Sequence, residues 1–523
     1  MGAVISSFQD VVATLGFVVR LIASLNTKYN NVFERVNSMP PLPVANSTAP
    51  YWLNNAPYPE LNNVNDTSSV PPEADVVIIG SGITAVAAAR TILELSRTPS
   101  SVLVLEARDI CSGATGRNGG HIKTSPYHSF IELRKTLSSD EEARDVVRFL
   151  MRHLPLLKEF AAKYPAAQIR DVETVDLFLS DKDFDAAKKD VQMTLKWLPE
   201  IEIEIWTAEQ ARDRFAANET VAGAITYKAG AMWPFRFVTS LWKDLVVQFS
   251  DRLTLMARTP VVAVKTSTDG MASHPYMVET SRGTIKARHV LHATNGYAGH
   301  LLPELRPCLT GLRGHMSAQK PGDAFPATDG NRSWSIVHLP GLDYVTQLPN
   351  NADGSQGDVM MGGGFARGAD EGLDNIAVWD DSSKDTLTMV HINGILPSIF
   401  EPNWGTGGGL KKAWSGIMGF TGDMRPFVGP IPDARSKKHK SSKLQVDAGQ
   451  WIAAGFNGNG MIWSWLSGAA VGIMIAGRDE DMLEKDIGRP DGKLDDWFPR
   501  KATAWNDKRL KTANLKALAG EVM

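Results

Sequence analysis

Gly80, Gly82 and Ala85 stand in a G-x-G-x-x-A pattern directly after the apolar run "VVII", residues 76–79, and Glu106 follows Gly82 by 24 residues. Glycines at that spacing let the backbone turn tightly and approach a pyrophosphate, while the third position needs only a small residue where helix meets strand. Ile83 and Thr84 open the following helix, whose N-terminal amides attract a phosphate. An acid ending the next strand suits ribose hydroxyls. Together these residues could hold a dinucleotide. The elements that must position them surround them: a buried strand at 76–79, a helix from 83 to about 96, and a second strand at 102–105 ending at Glu106.

A second glycine-rich loop follows at once, "ARDICSGATGRNGGH", residues 107–121. A nicotinamide that comes and goes has no use for it. A flavin that stays does, because the chain then runs along the pyrophosphate and under the ring. Ala107, Arg108, Gly113, Thr115, Gly116, Arg117, Asn118 and Gly119 are its expected contacts, and FAD is the expected cofactor. Three further glycine clusters, at 362–368, 405–409 and 458–460, lack the strand–helix–strand–acid sequel of a second nucleotide site. The flavin should therefore take its electrons from substrate rather than from NADPH.

The remaining composition sets bounds. A chain of 523 residues predicts two domains or more. Hydrophobic residues make 43% and charged ones 22%, a globular balance, and a net charge of −3 argues against nucleic acid as a partner. Two cysteines, Cys111 and Cys308, provide neither a disulfide framework nor a metal cluster and suit a reducing compartment. Sequons at Asn46, Asn65, Asn218 and Asn331 would matter only on secretion, and no cleavable signal peptide is legible. The opening "MGAVISS" fits N-myristoylation at Gly2. Behind it Phe8, Val11, Val12, Leu15, Val18, Val19, Ile22 and Leu25 recur at helical spacing. That run is short of the ~20 residues of a spanning helix and contains Arg20. It predicts a helix docked on the protein's own body or lying on a membrane surface. The expected location is cytoplasmic, with membrane association as an option.

At this point the sequence resembles the D-amino-acid oxidase superfamily of FAD-dependent oxidoreductases, which includes glycine oxidase and sarcosine oxidase. Its loop is most similar to the "GASGRNGGQ" branch containing gamma-glutamylputrescine oxidase and to fungal members with "GATGRNGGH". Three further segments resemble the family in order: "HVLHATNGYAGHLLPELRP" at 289–307, "WSGIMGFTGDMRPFVGPIP" at 414–432 and "WIAAGFNGNGMIWSWLSG" at 451–468. The resemblance implies hydride transfer from a C–N substrate to flavin N5, with oxygen or another acceptor reoxidising the flavin. It implies that Gly455, Asn457, Gly458, Asn459, Gly460 and Met461 close over the pyrimidine end, although many members have Gly-His-Gly where this chain has Gly-Asn-Gly. Aligned with the sarcosine-oxidase-like "RNTTIIR", the stretch "RNGGHIK" puts Lys123 at a carboxylate-binding arginine; a solvated lysine is the alternative. His121 beside it faces the ring or is a structural loop histidine. Tyr344 corresponds to a substrate-wall tyrosine, Arg425 is a further cation near the ring, and Trp233 is core or an interdomain contact. Ile417 occupies the place of a flavin-linking cysteine, so FAD should be non-covalent. Met360 falls where oxidase members carry an oxygen-activating lysine, which makes a dehydrogenase or slow oxidation credible.

The expected fold is α/β: a discontinuous Rossmann-type FAD domain with an α+β substrate domain built on a mainly antiparallel sheet. Residues 1–72 form an N-terminal helix and extended strap. The FAD domain takes 73–135, 205–310 and 410–480, the substrate domain 136–204 and 311–409, and 481–523 form a packed tail. "SSDEEARDVVRFLMRHLPLLKEFAAKY", 138–164, predicts a helical stretch. The leading expectation is oxidation of a small amine or amino-acid-like substrate. Two alternatives stand beside it: a tailoring oxidase of a biosynthetic pathway acting on a larger intermediate, and a membrane-docked flavoprotein with a mainly structural role. Oligomeric state is not legible.

Overall fold

A computed structural model describes residues 27–98, 100–267, 273–338, 341–432 and 448–515. The helix expected at 8–25 and Gly2 lie outside the described residues. The chain builds two sheets. In the first, the strands run in the order Phe427–Pro430, Gly449–Ala454, Gly283–His292, Glu73–Ile79, Val102–Leu105 and Leu253–Met256. The last five pair in parallel and Phe427–Pro430 closes one edge antiparallel. Val77, Ile78 and Val104 are fully buried, as expected of strands covered on both faces. One cover is the helix Ile83–Leu95 against the helix Ser464–Ile475. Their approach depends on small residues: a Cβ on Gly468 would lie 2.3 Å from the Thr84 carbonyl oxygen, so the backbones meet directly.

The second sheet runs Gly409–Thr421, Leu309–Lys320, Val359–Gly362, Gly341–Gln347, Arg332–His338, Arg170–Phe178, Gly223–Ala231 and His121–Ile122. Ile203–Thr207 adds to Gly223–Ala231. Every pairing is antiparallel except Arg332–His338 with Arg170–Phe178. This sheet draws strands from several of the expected ranges. Gly223–Ala231 and nearly all of Gly409–Thr421 fall in ranges assigned to the FAD domain, yet they pair in the second sheet. A β-run reveals its own burial but not its partner, which long-range pairing decides.

The strap keeps little regular structure and runs over both sheets. Thr48 donates its amide to the Asp381 carbonyl at 2.8 Å, Trp52 is buried, and Asn62 accepts from the Ile110 amide at 3.2 Å. The predicted helical stretch forms two helices, Asp140–Met151 and His153–Lys158, the first capped by the Ser139 hydroxyl accepting from the Glu142 amide at 3.2 Å. Among the described residues no helix is long and apolar enough to cross a membrane.

Candidate cofactor and active site

Gly80 takes φ +106°, and a Cβ there would sit 2.7 Å from the Ala293 carbonyl oxygen. The strand Glu73–Ile79 turns here so close to its neighbour that only glycine fits. Gly82 caps the helix Ile83–Leu95 without any side-chain cap, which leaves the helix N-terminus suited to an anion. Thr84 and Ala85 are buried in that first turn. The second glycine loop folds back onto the first: Thr115 Oγ1 accepts from the Ile83 amide at 3.1 Å and would lie 2.8 Å from a Cβ on Gly82. Half-buried Glu106 reaches over the same turn, accepting from the Ser81 amide at 3.1 Å, the Ser81 hydroxyl at 2.6 Å and the Arg108 amide at 3.0 Å. Ala107 lies half-buried beside it. Glycine turn, helix end and carboxylate thus converge as a nucleotide requires.

Along the second loop, Gly113 faces open space, whereas a Cβ on Gly116 would meet the Cys111 carbonyl at 2.4 Å. Arg117 is not solvated. Its guanidinium donates to the Ser112 carbonyl at 2.8 Å, the Ser415 carbonyl at 2.7 Å and Thr48 Oγ1 at 3.2 Å, and faces Asp381 at 3.5 Å. Burial pushes its pKa down to about 10 against the pull of Asp381. Arg108 holds the same carboxylate at 3.0 Å. Asp381 therefore ties both arginines of the loop to the strap. Asn118 donates to the Thr115 carbonyl at 3.1 Å and to Met461 Sδ at 3.5 Å, and accepts from the Gly120 amide at 2.7 Å. Gly119 lies against the Tyr344 ring, 2.7 Å from Cε2 were it to carry a Cβ.

The third segment is pinned by asparagines. Asn295, at φ +47°, accepts from the amides of Gly455 at 3.0 Å and Phe456 at 3.2 Å. Asn457, at φ +52°, accepts from the Thr421 amide at 2.8 Å and donates to the Gly455 carbonyl at 2.7 Å. Gly455 and Gly458 also take positive φ, and Asn459 donates to the Asn457 carbonyl at 3.3 Å. Gly460 begins the turn Gly460–Ile462, which carries buried Met461 back to Asn118. The hydroxyls of Ser112 and Thr294, one in the second loop and one beside Asn295, are buried without a partner. Near the helix N-terminus they leave hydrogen-bonding capacity for a polar ligand, which fits a dinucleotide flavin.

Of the candidate catalytic residues, three gather on the second sheet. His121 Nε2 pairs with Ser333 Oγ at 2.8 Å. Burial, then Lys123 and Arg170, hold this imidazole well below its usual pKa, so it is neutral. Lys123 is neither solvated nor free: its ammonium donates to Asp176 and to Ser335, each at 2.5 Å. Asp176 also accepts from the hydroxyls of Tyr127 and Tyr227, both at 2.8 Å. Tyr344 directs its hydroxyl to Met316 Sδ at 3.2 Å, and burial, then Asp343, pushes its pKa up to about 12. Arg425 lies apart from these three. It donates to Asp423 at 2.9 Å and to the Ala502 carbonyl at 3.1 Å, where the C-terminal tail packs, and has no hydrogen bond to the other three. Its cationic partner Arg509 holds the same Asp423 at 2.8 Å. Trp233 is core, donating to the Trp52 carbonyl at 2.7 Å. Sequence reasoning missed Asp381, Asp176, Ser333 and Thr48, which carry no motif of their own; Asn295 was signalled by the Ala-Thr-Asn-Gly turn.

A parallel nucleotide sheet joined to a mainly antiparallel sheet, with three glycine segments between them, defines a two-sheet flavoprotein oxidoreductase. The chain belongs to the DAO family of FAD-dependent oxidoreductases, which residues 75–472 match. It is 25% identical over 424 residues to gamma-glutamylputrescine oxidoreductase of Escherichia coli K12, covering 79% of this chain and 86% of that protein. Among solved structures, L-proline dehydrogenase from P. horikoshii superposes with a TM-score of 0.56 at 19% identity, covering 78% of this chain and 94% of that one. Glycine oxidase from Geobacillus kaustophilus does so at 0.57 and 16%, covering 79% and 96%. The protein is an FAD-dependent oxidoreductase.

Proposed function

We propose that this enzyme oxidises the C–N bond of an amine that carries no carboxylate at its reacting carbon. The observation behind this reading is the ion pair of Lys123 with Asp176. A lysine already neutralised inside a buried network, with Ser335 and two tyrosines completing it, has no charge to spare for a substrate carboxylate. The similarity to a protein named for gamma-glutamylputrescine, together with "GATGRNGGH", supports an amine of that kind. Bound FAD supplies the acceptor for the hydrogen on the amine's carbon, and oxygen or another acceptor takes the electrons onward.

The chain's own residues prepare the substrate. Neutral His121 beside the cationic Lys123 and Arg170 favours an uncharged amine, the form whose lone pair is available. Tyr344 against Gly119 forms an apolar wall that excludes water. Non-covalent FAD belongs to the same reading. Ile417 is buried where a linking cysteine would stand, and both thiols are buried, with burial pushing Cys308 up to about 11. Met360, wholly buried in Val359–Gly362, leaves no lysine at that place to activate oxygen, which favours an acceptor other than oxygen.

The test begins with an absorbance spectrum before and after acid precipitation, where yellow colour in the supernatant is the expected result. An anaerobic panel then compares mono-acylated diamines with α-amino acids. Bleaching of the flavin by the amines alone supports the reading; bleaching by α-amino acids alone overturns it.

A further inference from the structure

Three residues from three elements meet at the second sheet, none of them among the residues assigned to FAD or substrate. His338 ends the strand Arg332–His338, Asp343 lies in Gly341–Gln347, and His391 lies in the helix Thr386–Phe400. Asp343 Oδ2 is 2.8 Å from His338 Nε2 and 2.7 Å from His391 Nε2. All three donor atoms lie within 4.8 Å of one another. Asp343 is fully buried and His391 is the most accessible of the three, its side chain 15% exposed.

We infer that His338, Asp343 and His391 form a binding site for a divalent borderline cation, with Zn²⁺ as the fitting ion. Two imidazoles and one carboxylate are a donor set that Zn²⁺ takes at about 2.0–2.2 Å, with a fourth position left to water. The spacing is that of a site filled by protons, and a modest outward shift of both rings would admit the ion. A glycine backs each ligand. A Cβ on Gly341 would lie 2.4 Å from His338 Cε1, one on Gly363 2.2 Å from Asp343 Oδ1, and one on Gly364 3.2 Å from His391 Cδ2. The Gly364 amide donates to Asp343 Oδ1 at 2.7 Å, orienting the carboxylate so that Oδ2 faces the rings.

Ion binding requires both Nε2 atoms to give up their protons. Each ring stays neutral by carrying its proton on Nδ1 instead. Arg367 stands 3.2 Å from His338 Nδ1 and must then swing away, which its exposed position in the turn Phe365–Arg367 permits. The sequence contains no metal-ligand spacing because the three donors are brought together only by a hairpin and a distant helix. The bound ion would join that hairpin to the helix, immediately beside Tyr344.

The experiment uses full-length, tag-free, FAD-loaded protein, stripped with chelator, dialysed and titrated calorimetrically with ZnCl₂. One equivalent should bind, and the flavoprotein's melting temperature should rise with Zn²⁺. His391→Gln and His338→Gln should each weaken binding by at least about 100-fold while retaining the flavin spectrum. A control variant outside the cluster, His274→Gln, should bind as the parent does. If a variant at His338 loses its flavin, the more exposed His391 variant decides. Absence of Zn²⁺ binding to the parent protein, or undiminished binding by His391→Gln, would overturn the site.

Discussion

At the scale of the residue, the pairing of Lys123 with Asp176 decides more than either side chain alone. Lys123→Met leaves a buried carboxylate uncompensated and should destabilise the protein by about 3–5 kcal/mol, whereas Lys123→Met combined with Asp176→Asn should recover part of that loss. Urea unfolding of the two single variants and the double variant measures the coupling; strict additivity would refute the pairing. Gly119 is the second such position. A methyl group there meets a Tyr344 ring that is itself confined by Met316 and Gly362. Gly119→Ala should therefore cost about 1–3 kcal/mol and loosen FAD, read as a higher dissociation constant on flavin titration. Its sequence context marked it as a contact of the cofactor, but the ring opposite it was not visible. Lys123 shows the converse: its position was legible, and its charge partner lay 53 residues away.

At the scale of the element, the strap acts as part of the cofactor site. Trp52 is buried, donates its indole N–H to the Asn118 carbonyl, and stacks edge-on with Trp233 at 5.2 Å. It also lies against Gly120, whose absent Cβ would be 3.3 Å from the indole. Trp52→Ala should cost about 3–5 kcal/mol and release FAD more readily than a comparable core truncation in the second sheet, such as Trp334→Ala. Fluorescence of released flavin during mild urea treatment separates the two. The strap's extended character was readable from its Pro, Asn and Ser content. Its role was not, because Trp52, Tyr51 and Thr48 contact residues between 66 and 367 positions away. The first sheet was readable for the opposite reason: strand, turn, helix and strand are contiguous there.

At the scale of the whole molecule, buried histidines set the acid limit. Burial holds His153, His292 and His315 down at about 4, against an ordinary 6.5. His153 Nε2 accepts from the Leu466 amide at 3.3 Å, a bond that a second ring proton would replace with repulsion. Because the folded pKa values are depressed, this stability is full above about pH 6.5 and is lost as pH falls toward 4. Asp423 adds a lower step. Burial alone would raise it, but Arg509 and then Arg425 bring it below 3.8, so its contribution is lost only below about pH 4. The urea midpoint should decline in two stages between pH 7 and 3, with Asp423→Asn flattening only the second. A midpoint unchanged down to pH 4.5 would contradict the neutral histidines.

From its order of residues alone, this protein had to be a flavin-dependent oxidoreductase with a parallel nucleotide sheet. The glycine turns, the helix end and Glu106 act over short stretches, and local spacing is enough to specify a phosphate cradle. Which strands joined the second sheet, that Lys123 pairs with Asp176, that Arg425 meets the tail, and how His338, Asp343 and His391 meet were settled by folding. Each depends on contacts between segments far apart in the chain, where pairing and burial rather than spacing choose the partner.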